Sequence, residues 1–211
     1  MANRIKRWLL NKLQEHFVIL FLTTIVFILG IIFGAITIKL LDANQRNEMM
    51  SFFNSFFKSI DKSNFTNFTI LKQSLIDNFK TVGLIWILGI VFIGIPLIPA
   101  IVLFRGFAIG FTVGFLVNEY GAKGFAFSIL GILPQNLFII PGIISTASIG
   151  LTFSIKNIKM RKFRLIHNNF FTRVLDYTIM LYLFSIIIFL GSIIEGYISP
   201  FFLRMLTDYL G

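Results

Sequence analysis

Apolar residues come in long blocks along this chain, and polar residues gather in the gaps between them. The blocks are Phe17 to Leu41, Val82 to Phe104, Gly106 to Glu119, Phe125 to Ile155 and Val174 to Ile198. A helix needs roughly 20 apolar residues to cross the hydrocarbon core of a bilayer. All but the Gly106 block reach that length. The pattern predicts an all-α fold, a polytopic transmembrane helical bundle with about five spans at this spanning length. It also predicts broken or kinked helices and amphipathic interfacial helices. The whole chain reads as a single integral membrane domain.

Three gaps are informative. Residues 1–16 carry Arg4, Lys6, Arg7 and Lys12, with Trp8, Leu9 and Leu13 near helical spacing. That combination suits an amphipathic cytoplasmic segment on an anionic leaflet. Residues 42–80 form the longest polar connection and mix both signs of charge. Within it Met49, Phe52, Phe53, Phe56, Phe57 and Ile60 follow an i, i+3, i+4, i+7 pattern, which predicts an amphipathic helix. It either lies on the membrane or docks a partner outside the cytoplasm. Leu71, Leu75, Ile76 and Phe79 predict a second helix leading into the next span. Residues 156–173 carry Lys156, Lys159, Arg161, Lys162, Arg164 and Arg173 with no acid.

The blocks themselves are interrupted. Gly30 and Gly34 form a G-x-x-x-G in the first, and Gly106, Gly110 and Gly114 repeat every fourth residue in the third. Such small residues let helix backbones approach closely. Pro96 and Pro99 predict a kink in the second block. In the fourth, Pro134 removes a backbone donor, and Gln135 and Asn136 add two amides that lipid tails cannot satisfy. Pro141 follows. The break is expected to face other helices, either as a plain proline kink or as a polar knot that fixes packing or moves. Pro200 is expected to end the last block, close after Glu195.

The chain is 56% hydrophobic and 13% charged, so little is left for a soluble domain. The formal charge of +10 would suggest nucleic acid in a soluble protein. Here the basic residues flank spans and read as orientation signals instead, so membrane lipid is the expected partner and nucleic acid is not. Placing both basic segments in the cytoplasm predicts four crossings between them. The last span then leaves the C-terminus outside. The first block exceeds a signal-peptide core and no A-x-A site follows, so it is expected to remain as a span.

Signs of catalysis are weak. His16 and His167 sit in basic flanking segments, no metal-ligand spacing occurs, and there is no cysteine. Gly110-Phe111-Thr112-Val113-Gly114 has the spacing of a nucleophile elbow but no histidine partner. Arg105, Asp176 and Glu195 fall near the ends of the predicted spans, which disfavours an ion relay. The expectation is a non-enzyme without cofactor or metal.

Several blocks, taken together, resemble one family. They are Ile32-Phe33-Gly34-Ala35, Gln73-Ser74 with Asn78, Leu84 to Ile90 with Ile93-Gly94-Ile95-Pro96, Gly110 to Asn118, Leu133-Pro134-Gln135-Asn136-Leu137 with Ile139-Ile140-Pro141, and Glu195 to Pro200. This arrangement is similar to the stage II sporulation protein M family over nearly the whole chain. The resemblance implies a membrane scaffold for engulfment of the forespore, working with stage II sporulation proteins D and P, which degrade peptidoglycan. It implies residence in the mother-cell septal or engulfing membrane and gives no catalytic residues. A homo-oligomer is compatible with the sequence. The alternative is a transporter or channel-like protein, suggested by the proline-broken spans.

Orientation is directly testable because the chain has no cysteine. A single cysteine at Asn67 should react with a membrane-impermeant thiol reagent in intact protoplasts. One at Lys159 should react only after lysis. Equal or reversed labelling would overturn the five-span arrangement.

Overall fold

The computed structural model describes residues 2–61, 67–162 and 170–210. Of residues 2–16, 53–54, 56–61, 159–162 and 202–210 it describes the backbone alone. The predicted amphipathic faces at 1–16 and beyond Phe201 therefore lie outside the described side chains, as does most of the basic segment. The elements are α1 (Ala2–Thr37), a 3-10 turn (Ile38–Leu40), α2 (Ala43–Asp61), α3 (Asn67–Ile90), α4 (Gly94–Gly131), α5 (Leu133–Lys162) and α6 (Phe170–Leu210). No strand occurs among the described residues.

Four helices are long and apolar enough to cross a membrane: Phe17–Leu40 of α1, Gly94–Gly131, Leu133–Ile158 and Phe170–Phe201. The protein is thus a helical membrane bundle. α3 is not among the four, and it carries Lys72, Asp77 and Lys80. It nevertheless packs into the bundle, antiparallel to α6. Gly196 lies against Leu71 at one end, and Gly89 lies against Tyr177 at the other. The stretch 67–80, which the sequence assigns to the polar connection, is therefore the first half of a bundle helix.

The second and third predicted spans are redrawn. No helix runs from Val82 to Phe104, because the chain reverses at residues 91–93. Backbone bonds from Val91 to Leu88 O, Gly94 to Val91 O and Ile95 to Phe92 O carry it through the turn. A side chain at Gly94 would strike Leu88 O, so the turn needs glycine there. Pro96 falls in the first turn of α4, where the missing N–H has no intrahelical partner to lose. It helps start a helix and does not kink one. Pro99 lies inside α4, and the short glycine run 106–119 is the continuation of the same helix.

α4 has two legs. At Gly121 the backbone takes φ 58°, ψ −131°, a conformation reserved for glycine. A Cβ there would meet only open space, so the dihedrals and not crowding demand the residue. Gly124 then folds against Leu116 O, bringing the second leg back along the first. A further break at Ile132 separates this leg from α5. Pro134 follows as the second residue of α5, so its lost donor again falls in a first turn. Pro200, expected to stop the last helix, lies within α6, which continues to Leu210.

α5 is the central element: 67% of its apolar window is buried, against 22% for α1. Its own Ala147 is fully enclosed, as are Ile85, Ile98, Val102 and Ile188 around it. In α1, Phe17, Phe21, Ile25, Ile28, Ile32 and Ile36 face outward, as suits a lipid-facing helix.

α1 runs parallel to α4, backbone against backbone. A Cβ on Gly30 would collide with Leu103 O, and one on Gly34 with Phe107 O. From the other side, Gly106 meets Phe27 O, Gly110 meets Ile31 O, and Gly114 meets Ala35 and Ile38. Lipid tails are as apolar as side chains, so this contact is held by fit and not by exclusion of water. Gly110→Leu should therefore force α1 away from α4. Overpacking of a tight core costs about 1–3 kcal/mol, and a clear fall in thermal stability in detergent is expected. A parental melting curve would contradict this account of the contact.

Candidate functional site

One set of linked polar groups lies on facing stripes of three helices. α3 presents Ser74, Asn78 and Thr81, with the exposed Asp77 at their edge, and α6 presents Ser192, Glu195 and Ser199, both at helical spacing. α4 contributes Arg105. Ser74 Oγ donates to Glu195 Oε2 at 2.5 Å. Asn78 Nδ2 donates to Ser74 Oγ at 3.2 Å and to Ser192 Oγ at 3.0 Å. Arg105 Nη2 donates to Thr81 Oγ1 at 2.8 Å and to Asp77 O at 3.3 Å. Glu195 and Asp77 act on the guanidinium through space.

Arg105 is deeper than the sequence indicated. With 82–104 taken as one span it falls at an end. In α4 it stands about 16 Å along the axis from Gly94, at 1.5 Å per residue. That is close to the middle of a core about 30 Å thick. The neighbouring Gly106 rests on Phe27, also well inside the α1 span. A guanidinium at this depth is expensive unless protein groups surround it. Thr81, the Asp77 carbonyl and the nearby Glu195 supply that surround.

The break at Ile132 joins the same seam. Gln135 is buried, and its Nε2 donates to Gly131 O at 2.7 Å. Asn136 Nδ2 donates to Ile132 O at 2.8 Å. These carbonyls lie at the end of α4, where intrahelical donors run out. Ser199 Oγ of α6 donates to Gln135 Oε1 at 2.6 Å, tying the break to the last helix. Pro141 sits one face away, inside α5 and exposed.

At the opposite end the fastening differs. Tyr177 Oη donates to Ile85 O at 3.0 Å and stacks on Phe153 at 4.4 Å between centroids. Ser154 Oγ donates to Val91 O, holding the 91–93 turn. α2 lies at the seam end, where Arg46 pairs with Glu119 of α4 at 2.6 Å. Of the proposed docking residues, Met49 is half-buried and Phe52 exposed. The side chains of Phe53, Phe56, Phe57 and Ile60 lie outside the described residues.

The candidate residues thus fall into separate groups. Gly30, Gly34, Gly106, Gly110 and Gly114 form the α1–α4 contact. Gln135, Asn136 and Glu195 belong to the seam, with Pro134 beside the break. Pro96 and Pro99 open α4 at the far end. Sequence reading gave Ser192, Ser199, Thr81 and Asp77 no part in a site, and gave Arg105 the wrong depth. The signal was present as i, i+4, i+7 polar positions, but half of them preceded the presumed start of the span. Among the described residues no group of three or more His, Cys, Asp or Glu is placed to hold a metal ion.

A helical membrane bundle with an internal polar seam is the class that fold and site define. The family model for stage II sporulation protein M matches residues 23–200. The chain belongs to the stage II sporulation protein M family, and so to the membrane proteins of sporulation. No curated protein and no solved structure matches it.

The tie between the break and α6 should carry modest stability. Interhelical hydrogen bonds in membranes contribute about 0.6–2 kcal/mol. Gln135→Leu removes the Ser199 bond and the Gly131 cap together and should lower the melting temperature without preventing folding. An unchanged melting temperature would mean that the bond contributes nothing.

Proposed function

We propose that this protein is a non-enzymatic membrane scaffold of the sporulation engulfment machinery. It anchors and localises peptidoglycan-degrading partners, stage II sporulation proteins D and P, while the mother-cell membrane moves around the forespore. The observation that carries this reading is the family match over residues 23–200. The basic segments supply the orientation: Lys156 to Arg173 and the N-terminal cluster face the cytoplasm. The α2 end then faces outward, in the space where wall-degrading enzymes work. Two features support a docking role for that end. α2 is amphipathic by sequence, and the Arg46–Glu119 pair anchors it to α4. A partly exposed ion pair adds little stability, so its value here is to set the position of α2 relative to the bundle.

Affinity capture from sporulating cells in mild detergent tests this function. The two hydrolase partners should be recovered with the wild-type chain, and recovery should fall when Phe52 and Met49 are replaced by serine. Failure to recover either partner, together with solute flux by the purified protein in liposomes, would favour a transporter instead.

A further inference from the structure

Glu195 is surrounded by groups that can exchange hydrogen-bond roles. Asn78 is 2% exposed, yet its Oδ1 is buried without a partner. The amide spends both donors on Ser74 and Ser192 while its acceptor goes unused. Ser74 in turn commits its only hydrogen to Glu195 Oε2. A hydroxyl both donates and accepts, whereas an ionised carboxylate only accepts. The orphaned acceptor is therefore tied to the charge state of Glu195: an ionised acid consumes the Ser74 hydrogen that Asn78 could otherwise receive.

We propose that Glu195 is a reversible proton-binding site inside the bundle, and that Ser74 and Asn78 form the relay that registers its occupancy. In the first state Glu195 is ionised and Ser74 donates to it. When Oε2 takes a proton from bulk water, the carboxyl group becomes the donor and Ser74 Oγ the acceptor. The Ser74 hydrogen then needs another acceptor. Rotation of the Asn78 amide places Oδ1 where Nδ2 stood, and Oδ1 accepts from both Ser74 and Ser192. Two bonds donated by the amide are replaced by two accepted ones, and Nδ2 moves to the place that Oδ1 held. The bundle gains one positive charge. The charged groups acting on Glu195 among the described residues are Arg105 of α4 and Asp77 of α3. Gln73 donates to Asp77 Oδ2 at 2.9 Å and holds that carboxylate in place. From α5 the seam contains Gln135, which does not titrate. Because the relay bridges α3 and α6, each proton bound or released re-forms the contact between these two helices.

Infrared difference spectroscopy of the full chain in lipid nanodiscs, titrated from mildly alkaline to mildly acidic pH, tests the site. The wild-type protein should reversibly gain the C=O stretch of a protonated, hydrogen-bonded carboxyl group. Glu195→Gln should lack that band. Ser74→Ala should move its frequency, because the hydrogen-bond partner of the acid is lost, and Asn78→Leu should keep the band but shift its midpoint. Absence of the band from wild type, or its persistence in Glu195→Gln, overturns the proposal. If Glu195→Gln does not fold, the other two variants decide, and a band that neither of them moves also overturns it.

Discussion

A guanidinium near the middle of an apolar slab is the constraint around which this bundle is arranged. Arg105 needs partners at its own depth, since the hydrocarbon core offers none. α3 provides them, and its composition follows from that duty. It is the one bundle helix too polar to rank as an apolar span, and its buried positions include Ser74 and Asn78. Ser74 and Asn78 turn inward, while Lys72, Asp77 and Lys80 of the same helix stay exposed. α6 covers the inward face with Ser192 and Glu195. The neighbour relations of α3, α4 and α6 are thus dictated by polar satisfaction as much as by shape.

The contact between α1 and α4 obeys a different rule. No polar pair joins them along the glycine positions, where backbone meets backbone at Leu103, Phe107, Phe27 and Ile31. Dispersion at such short range is individually weak and adds up over the length of the contact. It also demands a fixed register, because moving by one residue would place Phe33 or Phe107 where a glycine must be. Among the described residues, α1 is therefore held by fit, and α3 to α6 by fit plus hydrogen bonds.

Much of this was legible in the sequence, and the reasons for the failures are physical. Helical periodicity and block length give the all-α bundle, and glycine spacing marks a close contact. The proline and amides at 134–136 announce a break, which falls at Ile132 two residues earlier. The turn at 91–93 was missed because Val91, Phe92 and Ile93 are apolar. In water such a turn would carry polar residues, but at a membrane boundary it need not. Gly94 and Pro96 were the available signal, and with Pro99 they were read as a kink. That one error displaced Arg105 from the centre of a helix to its end and hid the seam. Pro200 misled in the opposite direction, because a transmembrane helix tolerates proline when its surroundings re-satisfy the freed carbonyl.

The two ends of the bundle differ in what their fastenings can do. At the 91–93 end, Tyr177 bonds to backbone carbonyls of α3 and stacks on Phe153, and Ser154 bonds to Val91 O. A carbonyl has no second role to adopt, so these bonds hold or break. At the α2 end the partners are hydroxyls, amides and a carboxylate, each able to trade donor for acceptor while the number of bonds stays constant. Gly121 and the break at Ile132 lie toward this end, where the helices are shortest between interruptions. Rearrangement therefore needs fewer broken bonds at the α2 end than at the other. Glu119, two residues before Gly121, holds Arg46 of α2 at this end. The groups that can exchange hydrogen-bond roles and the contact with α2 therefore share one end of the bundle.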